Sequence, residues 1–168
     1  MTRKAAHILI LCTGNSARSI LAEGLINHFG APDFVAYSAG SQPKGEPHPH
    51  ALNTLEKHKI DTGFARTKSW DEFAGADAPA LDYIITVCDN AAGETCPIWP
   101  GKPTTAHWGI PDPADVTAPQ TAVEAAFDLA YAQLHARISR FLALPFDQLD
   151  PTALKQEMMA IGQMEEVA

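Results

Sequence analysis

The chain has 168 residues, 46% of them apolar and 19% charged, which is the composition of a globular domain large enough to bury a core without disulfide or metal staples. Its formal net charge of −8 argues against a nucleic-acid binder, which needs surplus Lys and Arg against phosphate, and no apolar run approaches the ~18 residues that cross a bilayer. The same charge repels anions at long range, so any anion site has to be built locally, from backbone amides and a few placed cations.

The first residues lead into a short apolar stretch with no small-residue cleavage site after it, which argues against a signal peptide and makes the cytoplasm the expected compartment. Three cysteines in a reducing compartment read as free, catalytic or metal-bound thiols. His7 to Cys12 is a continuous apolar run of the kind found in the central strand of a parallel sheet. A small polar loop follows, then a helix from about Ala17 to Phe29, with Leu21, Leu25 and Phe29 on one face and Gly30 as its stop. Phe34 to Ala39 reads as a second strand, and residues 42–50, crowded with Pro, Gly and His, as loop. The pair His48 and His50 looks metal-like but reads better as part of a solvated loop. Ala51 to His58 forms a short helix and Ser69 to Phe73 a helical turn. Tyr83 to Cys88, rich in β-branched residues, is a third strand. Residues 89–103 are a loop long enough to be functional, and Thr104 to Trp108 is a fourth strand. A long helix runs from about Gln120 to Leu144, with a capping box between Thr117 and Gln120 and a buried face of Val123, Phe127, Leu134, Ile138 and Phe141. Residues 152–164 read as a further, loosely attached amphipathic helix.

This alternation predicts a single α/β domain over residues 1–150, a three-layer α/β/α with a four-stranded, mainly parallel sheet, followed by a helical tail over 151–168. Ligands of such sheets bind beyond the carboxyl ends of the strands, where Cys12 and Cys88 both fall.

Cys12-Thr13-Gly14-Asn15-Ser16-Ala17-Arg18-Ser19 joins a strand to a helix in the form Cys, five residues, Arg. Small residues let such a loop curl so that backbone N–H groups point inward, and the helix start adds its own N–H groups and positive dipole end. Arg18 can fold back and hold two oxygens of a tetrahedral anion through its planar fork. Gly14 is read as permitting a backbone conformation that a side chain would oppose. Cys12 sits at the base of the cradle, where these donors should bring its thiol well below the ~8.5 of a free cysteine. Ser19 is placed to donate a further hydrogen bond to the sulfur.

The segment Leu11 to Ser19 resembles the low-molecular-weight protein tyrosine phosphatase superfamily and, more narrowly, the arsenate reductases built on that fold; the resemblance runs from about residue 7 to residue 145. It implies a low-molecular-weight-phosphatase fold, with Cys12 as nucleophile and residues 13–19 as the oxyanion loop. It implies that Asp112, in Ile110-Pro111-Asp112-Pro113, is the general acid that protonates the departing oxygen, with Asp115 the neighbouring alternative. An Asp beside a dianion should have a raised pKa, which keeps it protonated. Asp112-Pro113 is followed here by Ala114-Asp115, where phosphotyrosine phosphatases of this fold typically carry a tyrosine.

In the arsenate reductases the resemblance points to, a first cysteine attacks arsenate, a second attacks the first and releases arsenite, and a third takes over the disulfide for an external thiol. Cys12, Cys88 and Cys96 match those roles in that order, with thioredoxin or another thiol donor as partner. Seven residues separate Cys88 from Cys96, one more than in the thioredoxin-coupled members. Two other readings of the pair stay open: unrelated free thiols, or a zinc site with His107, although the spacing is far from the usual Cys-x2-4-Cys. The resemblance also places a potassium ion near Asn15, Glu23 and Ser38, with Ser69 where a further carboxylate ligand would stand. The implied function is arsenate reduction, with residual phosphatase activity. The alternatives are a phosphatase acting on phosphotyrosine or small phosphomonoesters, and a phosphocarrier that keeps the loop without turning over.

Overall fold

The computed structural model describes residues 5–75, 77–87 and 103–164. Strands β1 (Ala6–Cys12), β2 (Phe34–Gly40), β3 (Tyr83–Thr86) and β4 (Thr104–His107) form one sheet in the order β2-β1-β3-β4, and every pairing is parallel. β1 is central because Ile8 to Leu11 are apolar on both faces. All four are buried, each contributing about 1.5–3 kcal/mol of transfer free energy. The two-residue alternation sends Ile8, Ile10 and Cys12 to one face and Leu9 and Leu11 to the other.

Helices α1 (Arg18–Gly30), α2 (Pro49–Lys57), α3 (Gln120–Leu142) and α4 (Pro151–Gly162) supply side chains to the core on the Ile8–Ile10 face. The opposite face, with Leu9, Leu11, Ala39 and Ile84, is covered among the described residues by Phe73 and Leu81, with Tyr37 and Trp70 at its edge. Trp70 and Phe73 belong to a 3-10 turn, Trp70–Phe73.

The structure departs from the sequence-based expectations at several places. α1 is buried nearly all round, but Phe29, placed on its inner face by spacing, is 50% exposed and packs edge-on against His28 and His135 instead. No capping box forms at the start of α3: Pro119 occupies the cap position and no side chain bonds there. The buried residues of α3 include the expected Val123, Phe127, Leu134, Ile138 and Phe141, joined by Ala130, Tyr131, Gln133 and Arg137. α4 is seated firmly rather than loosely. Its Met158 and Ile161 are fully buried, Trp108 Nε1 donates to the Met158 carbonyl at 2.8 Å, and Gly162 lies so close to β4 that a Cβ there would meet the His107 carbonyl oxygen. The predicted third strand ends at Thr86, and Cys88 and all but the last residue of the predicted 89–103 loop lie outside the described residues.

Candidate active site

The carboxyl end of β1 runs directly into the loop 12–18, and α1 begins at Arg18. Five successive loop carbonyls are each held by a donor from around the loop. The N–H of Gln42 donates to Thr13 O (2.9 Å), that of Lys44 to Gly14 O (3.0 Å) and that of His48 to Ser16 O (2.8 Å). Thr67 Oγ1 donates to Asn15 O at 3.0 Å, and Leu21 N–H to Ala17 O at 2.9 Å. A trans peptide points its N–H opposite to its carbonyl. Fixing the carbonyls outward therefore aims the following N–H groups toward the hollow of the loop. α1 adds an end without a side-chain cap and without an acidic residue in its first turn, so its positive pole is left for a ligand.

Asn15 sets this curvature. It adopts φ +49°, the left-handed region, which the sequence reading had assigned to Gly14. Gly14 instead lets the Lys44 side chain lie across the loop: a Cβ there would stand 2.9 Å from Lys44 Cε and push that side chain aside. The Asn15 side chain is fully buried and uses both ends. Its Nδ2 donates to Ser19 Oγ (2.8 Å) and Ser38 Oγ (2.9 Å), and its Oδ1 accepts from Lys68 N–H (2.9 Å). Ser19 lies behind the loop as acceptor for Asn15, and Ser38 in turn donates to Glu23 Oε1. Gly40 permits the close approach of β2: a Cβ would meet the Thr13 carbonyl oxygen at 2.4 Å.

A cavity of about 320 Å³ is lined by Cys12, residues 13–17, Arg18, Gln42, Lys44 and Asp112. Arg18 Nη1 donates to the Ile110 carbonyl at 3.0 Å, and Nη2 lies 3.3 Å from Asp112 Oδ2. Among the described residues Arg18 Nε is buried without a partner, a donor that an oxyanion in the cavity would satisfy. Asp112 begins the 3-10 turn Pro113–Asp115 and holds it by accepting from Ala114 N–H at 3.0 Å, which fixes its carboxylate over the loop. Asp115 is exposed and does not line the cavity. A larger recess of about 410 Å³ lies at the amino ends of the strands around His7, Asp33 and Tyr83, but among the described residues no cysteine, lysine or arginine lines it.

The sequence-predicted residues Cys12, Thr13, Gly14, Asn15, Ser16, Ala17, Arg18 and Asp112 thus surround one cavity, with Ser19 behind it. Cys88 and Cys96 lie outside the described residues; Val87, the last described residue before them, donates its N–H to Leu11 O at 3.0 Å. Three residues were missed. Gln42 and Lys44 line the cavity from the loop after β2, and nothing local in the sequence marks them. His48, read as part of a solvated loop, caps α2 instead. Its Nδ1 accepts from His50 N–H at 3.1 Å, both rings stand against Phe127, and its own N–H holds Ser16. Burial, then the charges of His50 and Lys44, lower its pKa, which keeps that nitrogen an acceptor. A His directly before Pro49 at the first helical position was the available signal.

A strand-borne cysteine beneath a ring of inward amides, with an arginine fork and a facing carboxylate, is an arrangement that can hold a tetrahedral oxyanion against sulfur. The chain belongs to the low molecular weight phosphotyrosine protein phosphatase family, whose model matches residues 7–158. It is 31% identical over 135 residues to an arsenate reductase of Shouchella clausii, covering 80% of this chain and 93% of that one. The arsenate reductase of Archaeoglobus fulgidus superposes with a TM-score of 0.64 at 23% identity, over 82% of this chain and 99% of that one. An arsenate reductase solved in the phosphate-binding state superposes at 0.63 with 24% identity, over 82% and 97%.

Proposed function

We propose that this chain is an arsenate reductase that works through Cys12 and a relay of its three cysteines. The carrying observation is the site itself, in a chain similar to arsenate reductases over most of its length. Arsenate is held by the loop amides and by Arg18, whose buried Nε has no partner among the described residues. Cys12 sulfur attacks arsenic, forming an S–As bond. Asp112 protonates the departing oxygen, which leaves as water. Cys88 thiolate then attacks Cys12 sulfur. An S–S bond forms, the S–As bond breaks with its electron pair left on arsenic, and As(V) leaves as As(III) arsenite. Cys96 attacks Cys88, displaces Cys12 as thiolate and leaves a Cys88–Cys96 disulfide. A thioredoxin-like dithiol supplies the two electrons that restore the pair. This reading places the reaction in the cytoplasm; among the described residues no helix is long and apolar enough to cross a membrane.

The wall of the cavity favours an inorganic oxyanion over an aryl phosphate. Among the described residues its lining contains Gln42 and Lys44 and no aromatic side chain on which a phenyl ring would pack. The test is steady-state turnover with a thioredoxin system, comparing arsenate with a phosphorylated tyrosine ester. Arsenate-dependent consumption of reductant, with ester hydrolysis far slower, is expected. Fast ester hydrolysis without arsenate-dependent reductant use would replace this reading with a phosphatase.

A further inference from the structure

Behind the oxyanion loop lies a second charged cluster that the chemistry above does not use. Glu23 on α1 is 5% exposed, Ser38 and Asn15 are fully buried, and Lys68 is 7% exposed. Lys68 Nζ stands 3.9 Å from Glu23 Oε1 and donates to the Arg66 carbonyl at 2.9 Å. This is the place where the family resemblance puts potassium, and the oxygens present do not suit that ion. Hard cations need several oxygens turned toward them. Asn15 spends its only side-chain oxygen on Lys68 N–H and shows its NH₂ to Ser38. Ser38 commits its proton to Glu23, and the Arg66 carbonyl already accepts from the Lys68 ammonium.

We propose that Lys68 is a built-in cation: its ammonium supplies the positive charge beside Glu23, so that the oxyanion loop keeps its shape without potassium. Its backbone is held at both its N–H and its carbonyl, and the neighbouring Thr67 ties the same segment to the loop. Gly40 N–H donates to Lys68 O at 2.9 Å, Lys68 N–H donates to Asn15 Oδ1, and Thr67 holds the Asn15 carbonyl. Residues 67–68 therefore fix both the loop and the ammonium. The ammonium acts through the chain Glu23, Ser38, Asn15. A charged Glu23 accepts from Ser38, which leaves a Ser38 lone pair for Asn15 Nδ2. Without a nearby positive charge, the buried carboxylate would stand uncompensated behind the loop that this chain of hydrogen bonds braces. Lys68 is thus a positioning residue, remote from the reacting atoms.

The test compares the whole protein with Lys68→Met and Lys68→Arg in potassium, sodium and choline chloride at constant ionic strength. It reads the melting temperature and the affinity for inorganic phosphate by calorimetry. Phosphate affinity depends on the loop alone and not on arsenate reduction. Failure of the wild type to bind phosphate at all would therefore refute the active-site reading on which this inference rests. A wild type that binds phosphate but is stabilised by potassium over choline would overturn the inference while leaving the site intact. The wild type and Lys68→Arg are expected to be indifferent to the cation. Lys68→Met is expected to melt lower and bind phosphate ~5-fold more weakly in choline, with potassium restoring most of both, as for one partly buried charge interaction. A Lys68→Met protein that is unchanged, or equally impaired in all three salts, overturns the proposal. If Lys68→Met does not fold in choline, folding on addition of potassium supports it and failure in every salt overturns it. The double variant Glu23→Gln, Lys68→Met, with no charge left to balance, is expected to fold and to show no potassium response; a response there also overturns it.

Discussion

Replacing Asn15 with Ala removes a group that holds the oxyanion loop from inside. Three buried hydrogen bonds disappear, to Ser19 Oγ, Ser38 Oγ and Lys68 N–H. At ~1 kcal/mol net each they amount to about 3 kcal/mol. The Lys68 N–H is then left buried without that acceptor, which costs ~1 kcal/mol or more. Alanine also tolerates φ +49° less well than asparagine, for about 1 kcal/mol more. The expected loss is therefore about 4–5 kcal/mol, a large share of the ~5–15 kcal/mol available to a domain. Urea denaturation of the wild type, Asn15→Ala and Asn15→Gly measures it. Glycine loses the same bonds but not the backbone preference, so Asn15→Gly should be the more stable variant by ~1 kcal/mol. Phosphate affinity of whichever variant folds should fall ~10-fold or more, because the inward amides lose their fixed direction. An Asn15→Ala protein within ~1 kcal/mol of wild type, or one more stable than Asn15→Gly, would refute this view of the loop.

Asp112→Asn should slow arsenate turnover by ~10²-fold or more, as for loss of a general acid, while phosphate binding holds or tightens, because a negative charge 3.3 Å from Arg18 is gone; an equal loss of binding would make Asp112 a ligand rather than an acid. Lys44→Gln should raise the KM for arsenate ~3–10-fold with kcat nearly unchanged and reduce the salt dependence of KM, since Lys44 lines the cavity and an anion bound there feels its charge; a kcat effect without a KM effect would give it another role. Glu23 gives a pH dependence whose sign follows from its rise from 4.5 to about 7. Between these values the folded state binds more protons than the unfolded chain, so stability falls as pH rises through the window, by up to about 3 kcal/mol in total. Denaturation midpoints at pH 5 and pH 7.5 check this. Glu23→Gln should flatten the difference, and a wild-type protein that gains stability from Glu23 over that range would contradict the assignment.

The strand His7–Cys12, the loop and α1 were legible because their signals are local. An apolar run, a Cys-x5-Arg spacing and a helical pattern each lie within a few consecutive residues. What failed depends on partners far along the chain. Phe29 has the spacing of a core residue, yet α1 is so deeply set that its buried surface is complete without it. The left-handed turn falls on Asn15 because Lys68, 53 residues on, pins its side chain. Gly14 is small because Lys44 crosses it. His48 looked like a solvated metal-type histidine, but the Pro49 that follows made it a cap. The box between Thr117 and Gln120 fits a pattern that Pro119, at the cap position, does not let the backbone adopt. Lys68 carries no motif at all; only the fold brings its ammonium to Glu23.

The central claim is tested most directly by mixing fully reduced protein with arsenate in the absence of any reductant and following arsenite and thiols. One arsenite per chain, two thiols lost and a Cys88–Cys96 disulfide in the peptide map are predicted, with Cys96→Ser stopping at a Cys12–Cys88 disulfide after the same single release. No arsenite and three intact thiols, from a protein that hydrolyses a phosphomonoester through Cys12, would contradict it.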